Sequence, residues 1–78
     1  MATNPSAATG VNVRAEMARR GVSQTVLADR IGISQNAVSR RLRGETPFDI
    51  NELIAVANVL DVPLSALLHG VAGEREPA

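Results

Sequence analysis

The side chains best suited to hydrogen-bonding chemistry lie close together in one polar stretch of the sequence, residues 35–43. In a helix that turns by about 100° per residue, their polar members would share an arc of about 140°. They are Gln35, Asn36, Ser39, Arg40 and Arg43. Glutamine and asparagine can each form two hydrogen bonds with adenine, and arginine can do so with guanine. The stretch therefore has the chemistry needed to bind base edges in double-stranded DNA, although an ordinary solvated helix face is also polar.

The opposite side of the same predicted helix is apolar. With Gln35 at 0°, Val38 falls at about 300° and Leu42 at about 340°. This i, i+4 pair predicts that Leu42 faces inward and anchors the helix to a core. Arg41 falls at about 240°, outside the polar arc, so we do not assign it to base binding.

The composition excludes several classes of function. The chain of 78 residues has no cysteine and a single histidine, His69, so neither a disulfide framework nor a metal site is expected. It has no paired set of catalytic side chains, and no apolar run reaches the about 18 residues that a membrane span requires. No basic residue precedes Arg14 and no apolar core follows it, so no signal peptide is predicted. We predict a small cytoplasmic binding protein without a cofactor rather than an enzyme.

The charges are unevenly distributed although their sum is zero. Residues 1–48 hold seven arginines against three acids, which gives +4, and residues 49–78 hold one arginine against five acids, which gives −4. A cationic half beside an anionic half favours one face that meets an anionic partner, although a short chain can show such an imbalance by chance.

Glycines, prolines and capping residues divide the chain into helical segments, and no segment alternates with period two. Residues 1–10 have no apolar pattern and are predicted to be a flexible arm. The predicted elements after it are a helix ending at Gly21, one over 24–31 capped by Ser23, one over 35–43 capped by Ser34, one starting at the Asp49 and Glu52 capping box, one from Pro63 to Gly70, and a disordered tail over 71–78. The predicted fold class is all-α, with five short helices.

Apolar residues at helical spacing identify the expected core. Besides Leu42, we predict buried side chains at Met17, Leu27, Val38, Phe48, Leu53, Ile54, Ala57 and Leu60. His69 is expected only to lie near the last helix C-terminus, where the helix dipole favours a cation.

The second and third predicted helices are separated by only Gly32, Ile33 and Ser34. So short a connection forces a sharp crossing, for which glycine supplies the unusual backbone angles, while the small Ala28 lets the helices approach. This arrangement is typical of a helix-turn-helix, in which the second helix lies in the DNA major groove.

Residues 11–69 resemble a helix-turn-helix domain of the lambda repressor and Cro type, also called XRE-like. The resemblance rests on the order and spacing of Arg20-Gly21-Val22-Ser23-Gln24, Leu27-Ala28, Ile31-Gly32-Ile33-Ser34, Val38-Ser39-Arg40, Arg43-Gly44, Leu53-Ile54-Ala55-Val56-Ala57, Leu60-Asp61-Val62 and Leu67-Leu68. It implies a lambda repressor-like DNA-binding domain over residues 11–70.

The resemblance also implies residue roles and a function. It assigns base binding to Gln35, Asn36, Ser39 and Arg40, and contacts with the DNA backbone to Gln24, Arg43, Gly44 and Thr46. It implies a sequence-specific transcriptional regulator, a phage or prokaryotic repressor, acting on a palindromic or pseudo-palindromic double-stranded operator as a homodimer. The alternatives are an antitoxin-type module and a protein-interaction adaptor that keeps the fold but has left DNA.

The sequence departs from the family pattern in two places. The family usually has an apolar residue and then a glutamate where this chain has Arg41 and Leu42, which predicts the loss of a local ion pair and more positive charge beside the DNA. The family's fifth helix often begins with serine, and here Pro63 takes that place.

For the dimer contact we predict the region from Pro63 to Val71, because three leucines in one short terminal helix suggest surplus apolar surface. The leucines could instead complete the core of the monomer.

Overall fold

At three predicted helix starts, a side chain accepts a hydrogen bond from one of the first backbone N–H groups of the helix. In the computed structural model, Ser23 and Ser34 each accept a hydrogen bond from the backbone N–H three residues later, at 3.1 and 3.0 Å. Asp49 and Glu52 form the predicted capping box, with N–H to carboxylate distances of 2.7 and 3.0 Å. These three predicted helix starts are therefore confirmed.

The structure describes residues 4–71, and over that range it consists of five α-helices without a strand. They are α1 (Pro5–Arg20), α2 (Gln24–Ile31), α3 (Gln35–Leu42), α4 (Ile50–Leu60) and α5 (Leu64–Leu68). The prediction of an all-α, five-helix, lambda repressor-like fold is confirmed. Helix α3 contacts both α1 and α2, so two elements fix its orientation.

The flexible arm predicted over residues 1–10 is wrong from Pro5 onward, because α1 begins there. Asn4 caps the helix by accepting a hydrogen bond from the N–H of Ser6 at 2.8 Å, and proline suits the first helical position. Thr9 and Gly10 are buried. Small and polar residues form this buried face, so the segment lacks the apolar periodicity that sequence analysis requires. Residues 1–3 lie outside the described residues.

The core contains almost all of the residues predicted for it. Leu42 is only 3% exposed, which confirms the predicted phase of α3. Ile54 is 47% exposed, so its assignment to the core is wrong. The buried stripe of α4 passes through Leu53 and Leu60 at i, i+3, i+4 and i+7 spacing, which leaves Ile54 at its edge. Phe48 is partly buried against the core.

Helix α5 closes the core of the monomer. Leu67 is fully buried and Leu64 packs against the core, whereas Leu68 is 36% exposed. The side-chain amide of Asn12 on α1 donates to the backbone carbonyls of Leu67 and His69, both at 2.9 Å. Most of the leucine surface predicted for a dimer contact is therefore used within one chain. Of the predicted C-terminal tail, only Val71 belongs to the described residues.

Candidate nucleic-acid interface

The turn between α2 and α3 has the sharp geometry that the sequence predicts. Gly32 ends α2 with a φ of 77°, in the left-handed region that favours glycine. The N–H groups of Gly32 and Ile33 both donate to the carbonyl oxygen of Ala28, at 2.9 and 3.2 Å. Ile33 packs against the core, and Ser34 starts α3 directly after it. The turn thus fixes the angle at which α3 leaves α2.

Helix α3 presents the predicted polar arc to solvent. Gln35, Asn36 and Arg40 are exposed, and Ser39 is half-buried. The opposite side, represented by Val38, is fully buried. The structure therefore brings all four predicted base-binding residues onto one accessible surface of side chains that can form hydrogen bonds.

Arg43 lies at the end of this arc and contacts two side chains. Its Nη1 donates to Oγ of Ser39 and its Nε donates to Oε2 of Glu45, both at 2.7 Å. The hydrogen bond and charge of Glu45 raise the pKa of Arg43, and those of Arg43 lower the pKa of the Glu45 carboxyl. Sequence analysis gave Glu45 no role, although an acid two residues after the predicted phosphate-contacting Arg43 could have indicated an ion pair between the two.

The other predicted backbone-contact residues lie at two places around α3. Gln24 is the first residue of α2 and is half-buried. Gly44 and Thr46 are half-buried in the loop that follows α3. Within residues 4–71, the side chain of Gln24 forms no hydrogen bond, so it does not tie α2 to α3.

An ion pair between helices holds α3 in place. The Nε and Nη2 groups of Arg41 donate to the two carboxylate oxygens of Glu52 on α4, at 2.9 and 3.2 Å, and Nη1 donates to the carbonyl of Ala37 at 3.2 Å. The side chains of Arg41 and Glu52 are only 19% and 16% exposed. Arg41 therefore adds no unpaired charge beside the polar arc of α3, which corrects the expectation of more positive charge beside the DNA. It also forms an ion pair where the sequence predicted that one would be lost.

The start of α1 supports the end of α3 through backbone packing. A methyl group at Gly10 would overlap the carbonyl oxygen of Leu42. A methyl group at Gly44 would lie 2.6 Å from the Cα atom of Ala7. Sequence analysis missed Gly10, because residues 1–10 were predicted to be a flexible arm rather than the start of a helix.

Other kinds of site are not supported by the described residues. Within residues 4–71, no group of three or more histidine, cysteine, aspartate or glutamate side chains could hold a metal ion. None of the helices over the same range is long and apolar enough to cross a membrane.

Residues 13–67, the greater part of the chain, match the helix-turn-helix family. The chain therefore belongs to this family, of the lambda repressor and Cro type, and has its DNA-binding domain. Its members are DNA-binding regulators rather than enzymes, which confirms the predicted class. A search of curated proteins found no match.

Several solved structures have the same fold as this chain. The clp gene regulator ClgR from Corynebacterium glutamicum superposes with a TM-score of 0.84, at 24% identity, over 87% of this chain and 72% of the other. The restriction-modification controller protein C.AhdI from Aeromonas hydrophila gives 0.75 at 24% identity, over 80% and 94%. The P22 c2 repressor, in complex with a synthetic operator, gives 0.71 at 29% identity, over 80% and 94%.

Proposed function

We propose that this chain is a sequence-specific transcriptional regulator that represses genes by binding an operator in double-stranded DNA. The observation that carries the proposal is the accessible polar arc of α3, directly after a helix-turn-helix turn. The exposed arc includes Gln35, Asn36 and Arg40, whose side chains can hydrogen-bond to bases in the major groove. Binding to a prokaryotic or phage operator places the protein in the cytoplasm, at the nucleoid.

We assign two kinds of contact to two sets of residues. Gln35, Asn36, Ser39 and Arg40 bind base edges and determine which sequence is preferred. Gln24, Arg43, Gly44 and Thr46 meet the DNA backbone and determine position and affinity, because phosphate contacts carry no direct sequence information.

The chemistry of the arc favours DNA over a protein partner. A protein-interaction adaptor of this fold would be expected to present apolar or acidic groups on α3. Here the exposed side of α3 is polar and basic, and its apolar residues, Val38 and Leu42, are buried.

We further propose that the protein binds its operator as a two-fold dimer. One recognition helix contacts too few base pairs to select a site in a genome, and dimers of such proteins contact half-sites about 34 Å apart. Since Leu67 is buried in the monomer, the apolar surface that remains for a partner includes Ile50 and Ile54 on α4 and Leu68 on α5. Sedimentation across a concentration series tests the free dimer, and an asymmetric single half-site as the preferred target would contradict two-fold binding.

Selection of bound sites from random double-stranded DNA tests the proposed function. We expect enrichment of a defined sequence. Alanine at Asn36 or Arg40 should weaken binding to that sequence by about 1–3 kcal/mol and relax the preference at one position of each half-site. Arg14→Ala is the matched control, because it removes the same charge from α1 and should leave the selected sequence unchanged. Failure to enrich any sequence, or an unchanged preference in Arg40→Ala, would contradict the assignment.

A further inference from the structure

An acidic residue, Glu45, lies in the turn directly after α3, on a surface where positive charge would favour contact with DNA. Glu45 forms an ion pair with Arg43, and the two side chains are 54% and 47% exposed. The pair lies next to Ser39, because the same guanidinium also donates to its Oγ atom. It therefore belongs to the surface that the proposed function turns toward the DNA.

The backbone fixes Glu45 in this position. The N–H of Glu45 donates to the carbonyl of Arg40 at 3.0 Å, and the N–H of Gly44 donates to the carbonyl of Arg41 at 3.1 Å. With Gly44 at a φ of 79°, these bonds form the Schellman arrangement that ends a helix. The turn directs the chain back toward α3, so that the Glu45 carboxylate lies within hydrogen-bonding distance of Arg43.

A carboxylate and a DNA phosphate use the same donors of an arginine. Both are oxygen anions that accept charge-assisted hydrogen bonds from a guanidinium. We propose that Glu45 competes with the DNA phosphate for Arg43 and so lowers the affinity of this protein for DNA of every sequence. This proposal rests on the proposed function. It adds a residue that opposes binding, and it leaves discrimination between sequences to Asn36 and Arg40.

Glu45→Gln in the full chain tests the competition. The glutamine removes the charge and keeps the size of an exposed side chain, so its thermal unfolding should lie close to that of the parent, lowered only by the small contribution of an exposed ion pair. We expect affinity for the selected site and for an unrelated duplex to rise by the same factor, about 1.4- to fivefold, which is the range spanned by exposed ion pairs. The plot of log affinity against log salt should become steeper, by less than about one, because Arg43 neutralises its phosphate more completely once Glu45 no longer competes for it.

Two comparisons separate competition from a general effect of charge. Asp29→Asn removes the same charge from an exposed position on α2 and should change affinity less than Glu45→Gln does. In an Arg43→Ala background, Glu45→Gln should lose at least half of its effect, because no guanidinium remains to be released.

Three results would overturn the proposal. The first is an unchanged affinity and salt slope in Glu45→Gln, and the second is a gain of equal size in the Arg43→Ala background. The third is a gain for the selected site alone, which would make Glu45 a base-contacting residue. If the parent protein itself binds no duplex DNA, the proposed function fails together with this inference.

Discussion

The ion pair between Arg41 and Glu52 should be the strongest polar contribution to the position of α3. Its bonds of 2.9 and 3.2 Å are bidentate, and both side chains are less than one-fifth exposed. Oε1 of Glu52 also accepts the N–H of Asp49 at 3.0 Å, so the same carboxylate caps α4. We propose to test the pair with Arg41→Met, Glu52→Gln and the double variant.

The degree of burial determines how much the Arg41–Glu52 ion pair contributes to the free energy of unfolding. Exposed ion pairs contribute about 0.2–1 kcal/mol, whereas breaking a fully buried pair costs about 3–5 kcal/mol. This pair lies between those limits, so Arg41→Met should lower the free energy of unfolding by about 2 kcal/mol. At about 4–8 °C per kcal/mol for a domain of this size, Tm should fall by about 8–16 °C. Glu52→Gln should cost less, because glutamine retains an acceptor for the Asp49 N–H.

Urea unfolding of the parent and the three variants gives the coupling energy. We expect the effects of Arg41→Met and Glu52→Gln to be less than additive by about 1 kcal/mol, as for residues in direct contact. Arg41→Met should also weaken binding to all DNA sequences without changing the selected sequence. Additive effects on stability would refute the reasoning about the pair, and an altered sequence preference would show that Arg41 contacts a base.

Three further predictions concern packing and charge. Gly10→Ala should lower the free energy of unfolding, measured in urea, because the new methyl group meets the Leu42 carbonyl; an increase of about 1 kcal/mol, as in an open helix, would contradict the packing. Leu42→Glu should cost more than about 2 kcal/mol because it buries an unpaired carboxylate, whereas Val11→Glu at an exposed position of α1 should cost much less. Because the pKa of Glu45 is lowered in the folded chain, its pair with Arg43 stabilises the fold at pH values above the ordinary carboxyl pKa. This stabilisation is lost as pH falls through the lowered pKa. An NMR titration should show a higher pKa for Glu45 in Arg43→Ala.

Local sequence signals were sufficient for the centre of the fold. Ser23, Ser34 and the Asp49 capping box each act on a backbone group three residues away, so their effect is contained in a short stretch of sequence. The phase of α3 follows from the pair Val38 and Leu42 in the same way. The polar arc of the candidate interface was predicted because it is simply the other side of that helix.

The contacts that sequence analysis missed join residues that are distant in the chain. Gly10 approaches the carbonyl of Leu42, and Arg41 pairs with Glu52 eleven residues away. No periodicity encodes such contacts, since each depends on how two helices cross. Ile54 shows the converse error: its spacing fits an apolar stripe, but its side chain is 47% exposed at the edge of that stripe.

The three arginines at the end of α3 show how one residue type acquires different tasks. Arg41 holds the helix against α4, and Arg43 is shared between Ser39 and Glu45. Arg40 is exposed, and among the described residues it forms no ion pair, although it lies near enough to Glu45 to help lower the pKa of that carboxyl. A guanidinium that has no ion pair to break can form hydrogen bonds with a base without losing an existing contact. Among these arginines, Arg40 should therefore contribute most to sequence discrimination, even though all three contribute equally to the charge of the chain.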